Sequence, residues 1–239
     1  MTKISDTYVY LPDIFTSEEL HSSMGKEITK RSINRILSGY VRKGLVARLK
    51  NNLYAKASAD EFYVASASTG GYIGFSSALY LHGLKTEVEG SVYACVDNIQ
   101  KKLHFLDTLI IPVHMPTMCY GTVIIGKVAV SNYPKTIFDM LFKPKYANFF
   151  DMYRALKYRN MDKKEWSLLL RYAERSNLTT IRRIGYSLEH LSPRWFSSRL
   201  FKLNKPSGKS FFYKKLAVNF SEKWLIYDDL NIKRWANAY

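Results

Sequence analysis

Residues 28–56 constrain this chain more than any other stretch, because the hydrophobic pattern changes there from helical to strand-like across a single glycine. In ITKRSINRILSGYVRKG, residues 28–44, the apolar side chains Ile33, Ile36, Leu37, Tyr40 and Val41 recur at i, i+3, i+4, i+7 and i+8. That spacing lines one face of an α-helix. Gly44 stands where a C′ residue in the left-handed region ends a helix. After it, LVARLKNNLYAK reads as two short strands around Asn51–Asn52, since asparagine tolerates the left-handed backbone of a tight hairpin turn. Upstream, Thr16 or Ser17 caps an earlier helix whose first turn carries Glu18 and Glu19, favourable against its dipole, and Met24–Gly25 ends it. Helix, turn, helix, β-hairpin is the order of a winged helix-turn-helix, which the pattern predicts over residues 1–58.

On a helix of 3.6 residues per turn, Arg31, Asn34, Arg35, Ser38 and Arg42 fall opposite the isoleucine stripe, with Lys30 beside them at the N-terminal end. Arginine bonds two acceptors on guanine, asparagine pairs with adenine and lysine neutralises phosphate, so this mix suits the major groove of double-stranded DNA. Arg48, Lys50 and Asn51 of the hairpin are placed to meet backbone phosphate or the minor groove, which sets register without reading sequence. Taken alone, the basic face is better read as that of an ordinary solvated helix. The order of elements, with Gly44 and a charged hairpin directly after it, favours DNA.

Charge is unevenly distributed. The chain carries +16 overall, with ten Lys/Arg against five Asp/Glu in residues 1–58, seven against seven in 59–150 and nineteen against eight in 151–239. A neutral centre between two basic ends points to anionic partners for the ends. The chain is 47% hydrophobic and 15% aromatic, far from the composition of a disordered tail. The start MTKISDTYVYLPD lacks a signal-peptide pattern, and no apolar run approaches the ~18 residues of a membrane helix. With two cysteines, Cys95 and Cys119, no disulfide framework is expected. A cytoplasmic protein without membrane contact is the expectation.

Beyond the hairpin the chain reads as α+β. Residues 59–145 hold GYIGFSSALYLHGL, with Ser76 capping a helix over Ser77–His82 that Gly83 ends, and then SVYACV, KKLHF, TLIIPVHM and TVIIGKVAV as strands. This predicts a small mixed sheet with helices, closed by a helix at PKTIFDML. Residues 146–239 turn helical. Asp162 and Glu165 have capping-box spacing, and LTTIRRIGYSLEHL repeats the helical stripe. Gly185 inside that helix costs on the order of 1 kcal/mol relative to alanine, which predicts a close helix crossing. Residues 59–239 are also compatible with a single domain.

Three stretches resemble the AbiEi antitoxins of type IV toxin–antitoxin systems. YVRKGLVARLKNNLYAK is similar to the end of that family's winged helix, YIGFSSALYLHGL to its Ser-Ala-Leu and Gly-Leu signature, and TTIRRIGYSLEHL to its Arg-Arg-Leu-Gly-Tyr helix. Their order and spacing also match, over most of the chain. The family's wing carries a glycine near its tip where this chain has Asn51–Asn52. The resemblance implies a DNA-binding repressor of its own promoter, probed through inverted repeats. It also implies a C-terminal antitoxin region that counteracts a nucleotidyltransferase-like toxin without a firm complex. Arg182, Arg183 and Glu189, read as the exposed side of the glycine-bearing helix, are its candidate antitoxin surface.

Catalytic chemistry is not legible. His21, His82, His104, His114 and His190 are scattered, and no P-loop, GxSxG or GxGxxG is present. No cofactor, metal or enzymatic activity is expected. Two alternatives remain at this level. Glu87, Glu89, Asp97 and Lys101 suggest a metal-dependent nuclease, although surface turn charges account for them better. The run PRWFSSRLFKLNKPSGKSFFYKK, mixing Lys/Arg with Trp and Phe, suggests an RNA-binding module, although a small aromatic core with snorkelling lysines accounts for it equally well.

Overall fold

The computed structural model describes residues 8–24, 28–214, 216 and 218–234; the expected helix end at Gly25 lies outside them. The protein is α+β, as its sequence predicts. Chain order begins with β1 (Ile14–Thr16), α1 (Ser17–Met24), α2 (Lys30–Arg42), β2 (Val46–Lys50) and β3 (Leu53–Lys56). Thr16 and Glu19 form a capping box at the start of α1: the Glu19 N–H donates to Thr16 Oγ1 at 3.2 Å, and the Thr16 N–H donates to the Glu19 carboxylate at 2.6 Å. Thr29 caps α2 through the Ser32 N–H. At its other end Gly44 has φ +67°. The Gly44 N–H bonds Val41 O and the Leu45 N–H bonds Tyr40 O, both at 3.0 Å. That pair of bonds is the Schellman stop, which strains any side chain at the left-handed position.

The strands pair in the order β1-β3-β2, both pairings antiparallel, with Asn51–Asn52 as a two-residue turn between Lys50 and Leu53. Leu11, Phe15, Leu20, Ile33, Leu37, Tyr40, Val46 and Tyr54 form one buried cluster beneath them. Of the predicted stripe, Ile33, Leu37 and Tyr40 are buried, Ile36 is half-buried and Val41 is exposed. A stripe one residue narrower than predicted suffices, because a small sheet covers only the centre of the helix.

Continuing along the chain come α3 (Glu61–Thr69), β4 (Tyr72–Ile73), α4 (Phe75–Leu81), β5 (Ser91–Val96), β6 (Leu103–Phe105), β7 (Thr108–His114), β8 (Thr122–Ile125) and β9 (Val128–Ser131). Helix α4 starts two residues earlier than predicted, with Gly74 rather than Ser76 at its cap. Strands β6, β7, β5 and β4 lie side by side. Six registered pairs join β5 and β7 in parallel, and the other two pairings are antiparallel. Then follow α5 (Tyr133–Phe142), a 3-10 turn (Pro144–Tyr146), α6 (Phe149–Tyr158), α7 (Lys163–Glu174), α8 (Leu178–Leu188), α9 (Arg194–Leu203), β10 (Ser210–Phe211), β11 (Phe220–Ser221) and β12 (Ile226–Tyr227). The capping box predicted at Asp162 and Glu165 is formed.

The chain divides into two compact units. One comprises residues through Ile73, Glu89–Cys119 and Ile124–Ala129; the other comprises Gly74–Val88, Tyr120–Val123 and everything from Val130 onward. The chain passes from one unit to the other more than once, so boundaries at 58 and 145 do not coincide with the compact units. In the second unit, Lys85 and Asp151 pair at 2.7 Å with both side chains almost fully buried, and Lys135 pairs with Asp139 one helical turn on, at no exposure at all. Gly185 is explained there, but not by a helix crossing. A Cβ at that position would stand 2.1 Å from the indole of buried Trp224.

Candidate nucleic-acid interface

Helix α2 presents one continuous polar face. Lys30, Arg31, Asn34, Arg35, Ser38 and Arg42 are all exposed, because the residues between them, Ile33, Leu37 and Tyr40, anchor the opposite side in the core. None of Arg31, Arg35 and Arg42 makes an ion pair with a described residue. The Ser38 hydroxyl donates to Asn34 O at 2.8 Å, a local bond that leaves its lone pairs facing outward. At the N-terminal end the face meets α1. Ser17, Glu18, His21, Lys30, Ile33 and Asn34 line a hollow of about 120 Å³. The Asn52 amide donates to the Glu18 carboxylate and, with a smaller contribution from the charge of Lys30, holds that group below the usual carboxylate range.

The hairpin is tied down more than its sequence suggests. Arg48 Nη2 donates to Asn51 Oδ1 at 3.2 Å, so these two predicted contact residues meet each other at the exposed tip. Asn52 has φ +58°, and its side-chain oxygen accepts from the Ser17 N–H at 3.1 Å. It fastens the turn to the start of α1, a role that sequence reading missed because the two lie 35 residues apart. Lys50 is exposed, and its ammonium donates to Ser68 O at 3.0 Å, supplying one of the donors that the last carbonyls of α3 lack. It ties β2 to α3.

The three expected antitoxin residues do not form one exposed face: Arg182 is buried, and Arg183 and Glu189 are half-buried. Arg182 is 1% exposed. Its guanidinium donates to six oxygens: Asn204 Oδ1, Ser210 Oγ and the carbonyls of Lys205, Ser207, Gly208 and Leu225, at 2.8–3.4 Å. None of the six is a carboxylate; the charge rests on carbonyl and hydroxyl dipoles. Arg183 also turns inward, donating to Phe142 O at 3.3 Å and Phe211 O at 3.4 Å. Burial pushes its pKa down to about 10, against the opposing pull of Asp229. Glu189 is half-buried and paired with Lys223 at 2.5 Å. The helical pattern located these residues correctly on α8, but both sides of α8 are covered, and a heptad-like reading cannot show a second layer.

The remaining titratable groups have structural roles. His82 at the end of α4 bonds Ser131 O through Nε2 at 2.7 Å. Burial is the main cause that lowers its pKa. Asp228 is buried and accepts from Tyr186 Oη at 2.9 Å, whereas Asp229 accepts from the Tyr213 and Lys214 N–H groups. Among the described residues, no three His, Cys, Asp or Glu side chains gather into a set that could hold a metal ion. No helix among them is long and apolar enough to cross a membrane.

No protein-family model matches this chain, and no curated protein matches it significantly. Among solved structures it is similar to the crystal structure of the Rv2827c protein from Mycobacterium tuberculosis, with a TM-score of 0.72, 12% identity, and 98% of this chain and 92% of that chain covered. At that identity the likeness is one of fold.

Proposed function

We propose that this chain is a DNA-binding antitoxin that represses its own promoter. In this reading the N-terminal helices and β1-β3-β2 sheet are a winged helix, α2 is the recognition helix and the β2–β3 hairpin is the wing. One observation carries it: the Arg31, Asn34, Arg35, Ser38, Arg42 face of α2 is wholly exposed, and its arginines have no carboxylate partner among the described residues. Arginine and asparagine on one helix face supply the donor geometry that base edges in the major groove select. Arg48 and Asn51 at the hairpin tip supply the neighbouring backbone contact. The antitoxin part, directed against a nucleotidyltransferase-like toxin without a firm complex, rests on the family resemblance. The three segments that carry it fall in both compact units, at α2–β3, β4–α4 and α8.

The test is binding of the full chain to its own upstream repeats and to random duplexes of equal length, at several salt concentrations. Affinity for the repeats should exceed that for random DNA at physiological salt. It should fall with salt by about 0.9 in log–log slope per phosphate contact. Equal affinity for both duplexes overturns the repressor reading. A variant carrying Arg31→Ala and Arg35→Ala should lose the repeats yet still protect cells expressing the toxin; loss of protection overturns the division of labour.

A further inference from the structure

The small C-terminal sheet carries a feature that the promoter reading does not use. Its strands lie in the order β10-β12-β11, and the register places Ser210, Ile226 and Ser221 in one row and Phe211, Tyr227 and Phe220 in the next. Side chains alternate between faces along a strand. The first row therefore faces the core, with Ile226 fully buried and Ser210 nearly so. The second row faces outward. Phe211 and Tyr227 stack at 5.1 Å and 18°, and Phe220 leans on Tyr227 at 4.7 Å and 43°. Phe220, at the sheet edge, is 37% exposed.

One cation stands directly over this row. Lys209 Nζ stands 4.9 Å from the Phe220 ring centre and 5.7 Å from that of Tyr227. Lys202, Lys205 and Lys209 are exposed. The loop that carries Lys205 and Lys209 is held by Arg182, whose bonds to the Lys205, Ser207 and Gly208 carbonyls fix its path. Of the acidic groups close to these strands in sequence, Glu222 is exposed, and Asp229 accepts from the Tyr213 and Lys214 N–H groups. A buried arginine thus fixes the loop that brings Lys209 beside a row of three aromatic rings. An exposed ring at the end of such a row, flanked by positive charge, suits a single strand, because every base has a π-face and every linkage a negative charge.

We propose that this sheet face binds single-stranded nucleic acid, with a base stacking on Phe220, the exposed end of the ring row, and with Lys209 meeting the adjacent phosphate. A stacked base takes the place that the Lys209 ammonium now holds over the rings, and the ammonium turns to the adjacent phosphate. The site is independent of the α2 face and of the promoter reading.

Fluorescence anisotropy with labelled, unstructured twelve-nucleotide RNA and DNA strands, and with a duplex of the same length, tests it on the full chain. Phe220→Leu keeps apolar volume and removes the ring. It should weaken single-strand binding roughly 5- to 150-fold, the range of one base–aromatic stack, with duplex binding and melting temperature unchanged. Lys209→Gln should weaken it further and reduce its salt dependence. Tighter binding of one strand chemistry identifies RNA or DNA as the ligand, and either result supports the site. Single strands that do not bind at low salt, that bind Phe220→Leu as they bind the parent, or that are lost only with Arg35→Ala overturn the proposal.

Discussion

Helices α2 and α8 look alike as sequences and differ entirely as chemistry. KRSINRILSGYVR and LTTIRRIGYSL both set arginines opposite an aliphatic stripe. On α2 the arginines stand in water, and on α8 Arg182 is enclosed by six oxygens. A guanidinium can leave water only where its five donors are met. The loop from Asn204 to Ser210 provides most of that ring of acceptors for α8, and no element among the described residues provides one for α2. An exposed arginine face is therefore a fact about the rest of the fold, and only exposed arginines are available to a partner.

The largest break in this comparison comes from Arg182→Met. It removes the charged donor of six hydrogen bonds, and bonds to a charged group are worth about 1.5–3 kcal/mol each, so loss of more than about 3 kcal/mol of unfolding free energy is expected in a urea titration. Arg182→Lys should recover little, since an ammonium lacks the planar fork. Gly185→Ala follows. Alanine gains ~1 kcal/mol of helix propensity, but its methyl would overlap the Trp224 ring. A net loss of about 1–3 kcal/mol is expected from overpacking, and a neutral result would show that Trp224 can shift.

Arg35→Ala on α2 should change stability by less than about 0.5 kcal/mol. If Arg35 makes a bidentate base contact, the same variant should cost roughly 1–3 kcal/mol in binding at one base pair. A loss of stability comparable to that of Arg182→Met would erase the distinction between the two helices. The smallest effect concerns His82, whose protonated form is disfavoured chiefly by burial. His82 has a folded pKa lowered chiefly by burial, aided by Arg159 and opposed by the Ser131 bond. The unfolded chain therefore takes up the proton first. Stability should be unaffected above about pH 6.5, the unperturbed value. It should decline as pH falls below that value until the folded His82 is itself protonated. His82→Gln should flatten this part of the melting-temperature profile.

Local structure was legible where one residue type answers one local demand. Gly44 ends α2 because the Schellman turn needs a left-handed residue, and Asp162 and Glu165 cap α7 because four free N–H groups need acceptors. Helix α2, its polar face and the hairpin around Asn51–Asn52 were readable for the same reason. Lys50, Asn52, Arg182 and Gly185 were not. Their partners, Ser68, Ser17, the 204–210 loop and Trp224, lie 18 to 39 residues away in sequence, and periodicity carries no information about what covers a face.

The sequence by itself determined the α+β class, the order of elements, their caps and turns, and which side of α2 is polar. These follow from backbone hydrogen bonding and from spacing within a few residues. The tertiary structure decided which positive charges remain available, where the compact units divide, and that three aromatic residues from separate strands stand in one row with Phe220 exposed at its edge. Those outcomes depend on which distant segments bring acceptors, rings or solvent to a given side chain, and only the closed chain specifies that.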